Sequence, residues 1–169
     1  MIEQVAYDSQ AISCRVGQLG AQIARDYEGK LPMLIGALNS AVTFMADLTR
    51  AAAIPLEVDF IAVSHFQPSE SVRFEKDTSA SIEGRHVILV EPVIDTGLTV
   101  QYVMKTLRGR APASLEVCTL LDRPHRRLVE IEVKYRGFEI ADAFLVGYGL
   151  DYEGRYRELP ALYAFGRPA

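Results

Sequence analysis

The chain has 169 residues, 49% hydrophobic and 24% charged, a balance that builds one packed domain and excludes a disordered tail or a string of domains. Lys plus Arg total 18 against 22 Asp plus Glu, a net charge of −4 that excludes a broad basic face for nucleic acid or an anionic membrane. No basic-then-apolar leader and no apolar run of about 18 residues is present, so the expectation is an unexported, cytoplasmic protein without a membrane helix.

Asp8 and Ser9 can cap a first helix in which Ile12, Val16, Leu19, Ile23 and Tyr27 recur every three or four residues, with Gly29 closing it. Pro32 opens the apolar run Met33–Leu38, too short for a buried helix and read as a strand, and Ala41, Phe44, Met45 and Leu48 then return at helical spacing. A second strand runs from Leu56 to Val63. The polar segment Ser64–Ser71, which holds Pro68, reads as an exposed loop of the kind that closes over sites, with Val72–Lys76 as its return strand. His86–Glu91 is the most apolar strand and belongs at the centre of a sheet. A helix over Thr99–Arg108 buries Val100, Val103, Met104 and Leu107, and a strand over Leu115–Leu121 follows Pro112. Short strands near Val133–Tyr135, Phe144–Val146 and Leu162–Phe165 complete the chain. Strands alternating with helices predict an α/β fold with a parallel-sheet core flanked by helices. Cys14 and Cys118, far apart and inside apolar patterns, read as reduced core thiols.

In an open parallel sheet, ligands bind beyond the carboxyl ends of the strands. The central strand ends in Glu91-Pro92-Val93-Ile94-Asp95-Thr96-Gly97-Leu98-Thr99 and feeds straight into a helix, which sets backbone N–H groups and two hydroxyls around an anion-sized hollow. Neither the Walker lysine nor the dinucleotide glycine spacing is present. Asp95 in this cradle is either a helix N-cap or a carboxylate that points past a bound phosphate to act as acid, base or acceptor.

The segment VILVEPVIDTGLT, Val87–Thr99, resembles the phosphoribosyl diphosphate (PRPP) motif of the purine phosphoribosyltransferases. CTLLDRP, GFEIADAFLVGYGLDY and RYRELP downstream, with FMADLTR and EVDFIAVS upstream, resemble the hypoxanthine-guanine branch of that family. The resemblance covers nearly the whole chain and implies one domain over residues 1–169, whose hood is built from the N-terminal segment and roughly residues 122–169. It implies transfer of 5-phosphoribosyl from PRPP to hypoxanthine or guanine with Mg2+, in a homodimer or homotetramer; the net charge of −4 argues against a nucleic-acid partner and the hydropathy against a membrane.

Matched position by position, Asp95 falls on the family's acid/base carboxylate facing purine N7, and Thr96, Gly97, Leu98 and Thr99 on the 5′-phosphate site. Glu91 falls on a carboxylate that holds the ribose hydroxyls, and Asp151 on the one that binds the Mg2+–diphosphate; both suit a hard cation. Phe144 matches the ring that stacks on the purine, and Leu145 the backbone that meets its Watson–Crick edge. Arg123 stands where the branch has a lysine donating to the 6-oxo group, and a cation there favours an acceptor over the amino group of adenine. Arg157 matches the arginine that steadies diphosphate, as do Leu38, Asn39 and Ser40 the turn that receives it. Without the family, Phe144 reads as core, Asp151 as a helix cap, and His125, Arg126 and Arg127 as a solvated basic turn.

Three substrate loops depart from the family pattern: Pro92 replaces the second acid of a Glu-Asp pair, Ser40 a glycine, and His65-Phe66 a Ser-Tyr pair in the lid. Loss of a charged hydrogen bond at Pro92 costs about 1.5–3 kcal/mol, weakening a site without abolishing it. The alternative is a paralogue that binds purine nucleotides as a regulator and has lost the transfer chemistry.

Overall fold

The computed structural model describes residues 1–66 and 71–166. Along the chain the elements are β1 (Ile2–Tyr7), α1 (Ser9–Asp26), β2 (Met33–Ala37), α2 (Ala41–Ala52), β3 (Glu57–Phe66), β4 (Ser71–Lys76), β5 (His86–Ile94), α3 (Leu98–Arg108), β6 (Ser114–Asp122), β7 (Tyr135–Glu139), β8 (Leu145–Val146) and β9 (Leu162–Phe165). A six-stranded sheet has the order β4-β3-β2-β5-β6-β7, parallel throughout except for β4, which returns antiparallel beside β3. β1, β9 and β8 form a separate antiparallel sheet, the hood, which joins the two ends of the chain.

The apolar runs are continuous because both faces of the core sheet are covered. Side chains alternate along a strand, so Leu34, Ile88 and Val90 meet α1 and α2 through Ile12, Val16, Leu19, Phe44 and Leu48. Met33, Ile35, Val87 and Leu89 face the other way, against Val100, Val103, Met104 and Leu107 of α3. Asp8 caps α1 by accepting a hydrogen bond from the Ala11 amide at 2.7 Å. β5 lies between β2 and β6, the central place its composition predicts. No described helix is long and apolar enough to cross a membrane.

Several expectations are corrected. Cys118 is buried, but Cys14 is exposed, because it sits roughly 200° around the helix from the buried Ile12. The loop expected over Ser64–Ser71 is strand at both ends: β3 runs to Phe66 and β4 starts at Ser71, and the two pair from Ala62↔Lys76 to Phe66↔Ser71 with a register shift at Ala62/Val63. Cross-strand backbone pairing, invisible to polarity patterns, overrides the local signal. The expectation at Pro68 lies outside the described residues. The strand expected at Val133–Tyr135 begins at Tyr135 and runs to Glu139, where it is the sixth strand of the core sheet although it lies in the 122–169 stretch assigned to the hood. Gly137 obscures it in sequence, yet a Cβ there would overlap the Leu120 carbonyl of β6, so this strand requires glycine for its close approach. β1 escapes periodicity because almost all of its side chains are exposed.

Gly137→Ala is expected to destabilise the fold by about 1–3 kcal/mol through overpacking against β6. A urea midpoint equal to that of the wild type would show that β7 can shift to make room.

Candidate active site

Because β2, β5 and β6 are parallel, their carboxyl ends open on one edge of the sheet. β2 leads into Leu38-Asn39-Ser40, β5 into Asp95-Thr96-Gly97, and β6 into Arg123. Register between β2 and β5 stops at Gly36↔Val90, whereas β5 and β6 stay paired to Ile94↔Asp122. β5 therefore outruns β2, and Pro92, which has no N–H to donate, is accommodated in the overrun. Pro92 is buried and lines none of the described cavities below.

The anion cradle forms at the N-terminus of α3. Its cavity is lined by Glu91, Val93, Ile94, Asp95, Thr96, Gly97, Thr99 and Val100. Gly97 caps the helix at φ +85°, a left-handed conformation that disfavours any side chain, and a Cβ there would lie 2.7 Å from Ile131 Cδ1. Leu98 falls outside the cavity lining, with its side chain 49% exposed, so only its backbone can contribute to an anion site. Glu91 is buried, and burial pushes its carboxyl up to about 8.

A second cavity adjoins the cradle and shares Asp95 and Val93 with it; Ser40, Leu121, Arg123, Phe144, Leu145, Leu150 and Asp151 complete its wall. Phe144 is half-buried rather than core, with edge contacts to Tyr152 and Phe165 at 6.0 and 6.2 Å between ring centroids. Arg123 donates to the Ala143 carbonyl, its Nη1 lies 3.8 Å from Asp95 Oδ1, and its buried Nε makes no hydrogen bond. Asp151 accepts from the Gly154 amide at 2.8 Å and pairs with Arg157 Nη2 at 2.8 Å, so it closes a turn and faces the cavity at once. Arg157 Nη1 donates to Ser40 Oγ at 3.0 Å and to the Gly149 carbonyl at 2.7 Å. Ser40 itself has φ −65° and ψ −28°, an ordinary helical conformation in which a glycine has no advantage. Leu38 and Asn39 are joined by a cis peptide and line neither cavity; Asn39 is exposed.

The structure thus brings together Ser40, Asp95, Arg123, Phe144, Leu145 and Asp151, and separates Glu91 from Asp151 into neighbouring cavities. No group of three metal-binding side chains exists among the described residues. Asp151 in one cavity and Glu91 in the other are the carboxylates that suit a hard cation arriving with substrate oxygens and its own waters. The basic turn is solvated at His125 and Arg126, as the sequence pattern suggests, but not at Arg127. Arg127 is 14% exposed, pairs with the fully buried Asp122 and donates to the Asp95 carbonyl at 2.7 Å, while Arg126 reaches Asp95 and Asp142. Asp95 and Asp142 lie in loops distant along the chain, so no local spacing signals them; only the unusual run of cations after LLD hints at acceptors.

Residues 5–153 match the family model for the phosphoribosyl transferase domain. The chain is 42% identical over 163 residues to the hypoxanthine-guanine phosphoribosyltransferase of Bacillus subtilis, covering 94% of this chain and 91% of that protein. It is 43% identical over 155 residues to the hypoxanthine phosphoribosyltransferase of Haemophilus influenzae, covering 88% and 87%. Among solved structures, a hypoxanthine-guanine phosphoribosyltransferase from Bacillus anthracis superposes with a TM-score of 0.96 at 35% identity, over 98% of this chain and all of that one. A hypoxanthine phosphoribosyltransferase from Staphylococcus aureus does so at 0.93 and 38%, over 98% and 93%.

Glu91 makes a pH-dependent contribution to stability whose sign follows from its burial. The folded carboxyl keeps its proton up to about 8, while an exposed glutamate loses it near 4.5. Between those values the unfolded chain binds fewer protons, so stability falls as pH rises, by up to about 1.4 kcal/mol per pH unit, and levels off above the folded value. Glu91→Gln should flatten the melting temperature between pH 5 and 8 relative to the wild type. Equal slopes for the two proteins would place the ionisation of Glu91 elsewhere.

Proposed function

The chain belongs to the phosphoribosyltransferase family, in its hypoxanthine-guanine branch, and from that premise we propose how its residues carry out the reaction. The enzyme transfers 5-phosphoribosyl from PRPP to a 6-oxopurine, giving IMP or GMP and diphosphate in purine salvage. One observation carries the assignment of roles: Asp95 lines both the anion cradle and the adjoining cavity. A phosphoribosyl group seated in the cradle brings C1′ to the carboxylate that also meets the base.

In this reading Thr96, Gly97 and Thr99, with the Leu98 amide, hold the 5′-phosphate against the positive end of α3. Glu91, carrying its proton, donates a hydrogen bond to a ribose hydroxyl. Phe144 stacks on the purine, the Leu145 backbone meets its Watson–Crick edge, and the guanidinium of Arg123 donates to O6. N9 attacks C1′ as the bond from C1′ to diphosphate breaks, and the proton on N7 passes to Asp95. Arg157 and Ser40, already hydrogen-bonded to each other, receive the departing diphosphate together with the Leu38-Asn39 turn. Bound Mg2+ supplies charge neutralisation on the diphosphate, and Asp151 is the carboxylate that would hold it.

Relatives named as transferases at about 40% identity favour catalysis over a regulator that only binds nucleotides. The two free cysteines are compatible with a reducing, cytoplasmic setting, and a homodimer or homotetramer is the assembly we propose for it.

Purified protein supplied with PRPP and Mg2+ should form nucleotide from hypoxanthine and guanine and not from adenine, and omission of Mg2+ should abolish the reaction. Asp151→Asn is expected to raise the KM for PRPP by about tenfold or more, as loss of a charged contact to the metal–diphosphate requires. Turnover of adenine at the rate of hypoxanthine would remove Arg123 from its role as selector, and light scattering at the monomer mass would remove the assembly.

A further inference from the structure

The guanidinium of Arg126 bridges two carboxylates that line the approach to the base. Its Nε lies 2.7 Å from Asp95 Oδ1, and its Nη1 donates to Asp142 Oδ1 at 3.1 Å. Asp95 Oδ1 is shielded from solvent and meets Arg126 as an ion pair rather than a hydrogen bond, while the Asp95 side chain as a whole remains 41% exposed, so the open part of the carboxylate is its Oδ2 side. Asp142 stands two residues before Phe144, and Asp95, Arg123, Arg126, Asp142 and Phe144 line one cavity of about 310 Å³ that continues the base cavity outward. One side chain therefore ties the wall that carries the proton acceptor to the wall that carries the stacking ring.

The neighbouring cations do not duplicate this contact. Arg127 is spent on Asp122 and on the backbone carbonyl of Asp95, and Arg123 Nη1 stands off at 3.8 Å while Nη2 donates to Ala143. An unrestrained carboxylate rotates and presents either oxygen in a range of directions, and a misplaced acceptor loses rate steeply. The planar fork of arginine can reach two carboxylates at once, which the point charge of lysine cannot.

We propose that Arg126 is a positioning residue for phosphoribosyl transfer: by occupying Oδ1 it presents Asp95 Oδ2 to the N7 proton, and through Asp142 it sets the spacing between Asp95 and Phe144. The inference rests on the site reading above. Arg126 is 41% exposed and its ion pairs are solvent-facing, so they add little to stability. A kinetic loss without a stability loss is consequently the signature of the role.

Steady-state kinetics with hypoxanthine and PRPP on the wild type, Arg126→Gln, Arg126→Lys, Asp95→Asn and the double variant Arg126→Gln/Asp95→Asn test it, beside thermal melts. Arg126→Gln should lose about tenfold or more in kcat, keep the KM for PRPP within about twofold and melt within a few degrees of the wild type; Arg126→Lys should recover part of the loss. In the Asp95→Asn background, Arg126→Gln should cost less than about twofold more, because the residue acts through Asp95. Full kcat in Arg126→Gln, or losses that multiply in the double variant, would overturn the inference and leave the transferase reading standing. A wild type inert toward every 6-oxopurine would overturn both.

Discussion

A carboxylate with no exposure has to be neutralised, and Asp122 at the end of β6 meets that requirement with Arg127 and Arg136. The pairing draws the segment after β6 back across the sheet edge. Arg127 then holds the Asp95 carbonyl, the Leu128 amide donates to the Thr96 carbonyl at 2.9 Å, and Val129 and Ile131 lie over Gly97. Loop β5–α3, where the cradle sits, is thus fixed from outside by a chain segment whose one regular element is a 3-10 turn at Pro124–Arg126. Removing one partner of a buried pair leaves a charge uncompensated, so the device serves conformational definition as much as stability.

The same logic of mutual bracing runs through the diphosphate end of the site. Tyr148 donates to Asp47 of α2 at 2.6 Å, Gly149 lies against the Ser40 carbonyl, and Arg157 reaches back to Ser40 Oγ. The turn bearing Asp151 is held to the N-terminus of α2 by these contacts. A serine in place of the family's glycine costs nothing in backbone conformation here and adds an acceptor for Arg157. The substitution at position 40 is therefore compatible with the diphosphate role proposed for this turn.

Pairing of charges differs between the two cavities in a way that bears on their chemistry. Burial of Glu91 pushes its carboxyl up to about 8, which favours its neutral form. Asp95 and Asp151 each face a guanidinium, so both are acceptors suited to a proton or a cation. Three carboxyl groups of similar type thus differ in burial and in partner.

The amino-acid sequence by itself determined the core sheet and the cradle. Continuous apolar runs at Met33–Ala37 and His86–Val90 demand cover on both faces, the helical stripes of α1, α2 and α3 supply it, and a strand that ends in Asp-Thr-Gly before a helix sets backbone N–H groups around a hollow. Local chemistry suffices for such features because each lies within a dozen residues. Tertiary structure decided the rest: that Tyr135–Glu139 joins the sheet through Gly137, that the exposed strand at Ile2–Tyr7 pairs with Leu162–Phe165, that Arg127 turns inward, and that Arg126 bridges Asp95 and Asp142. Each depends on a partner contributed by a different element, and charge or polarity read along the chain carries no information about which backbone or carboxylate will arrive opposite it.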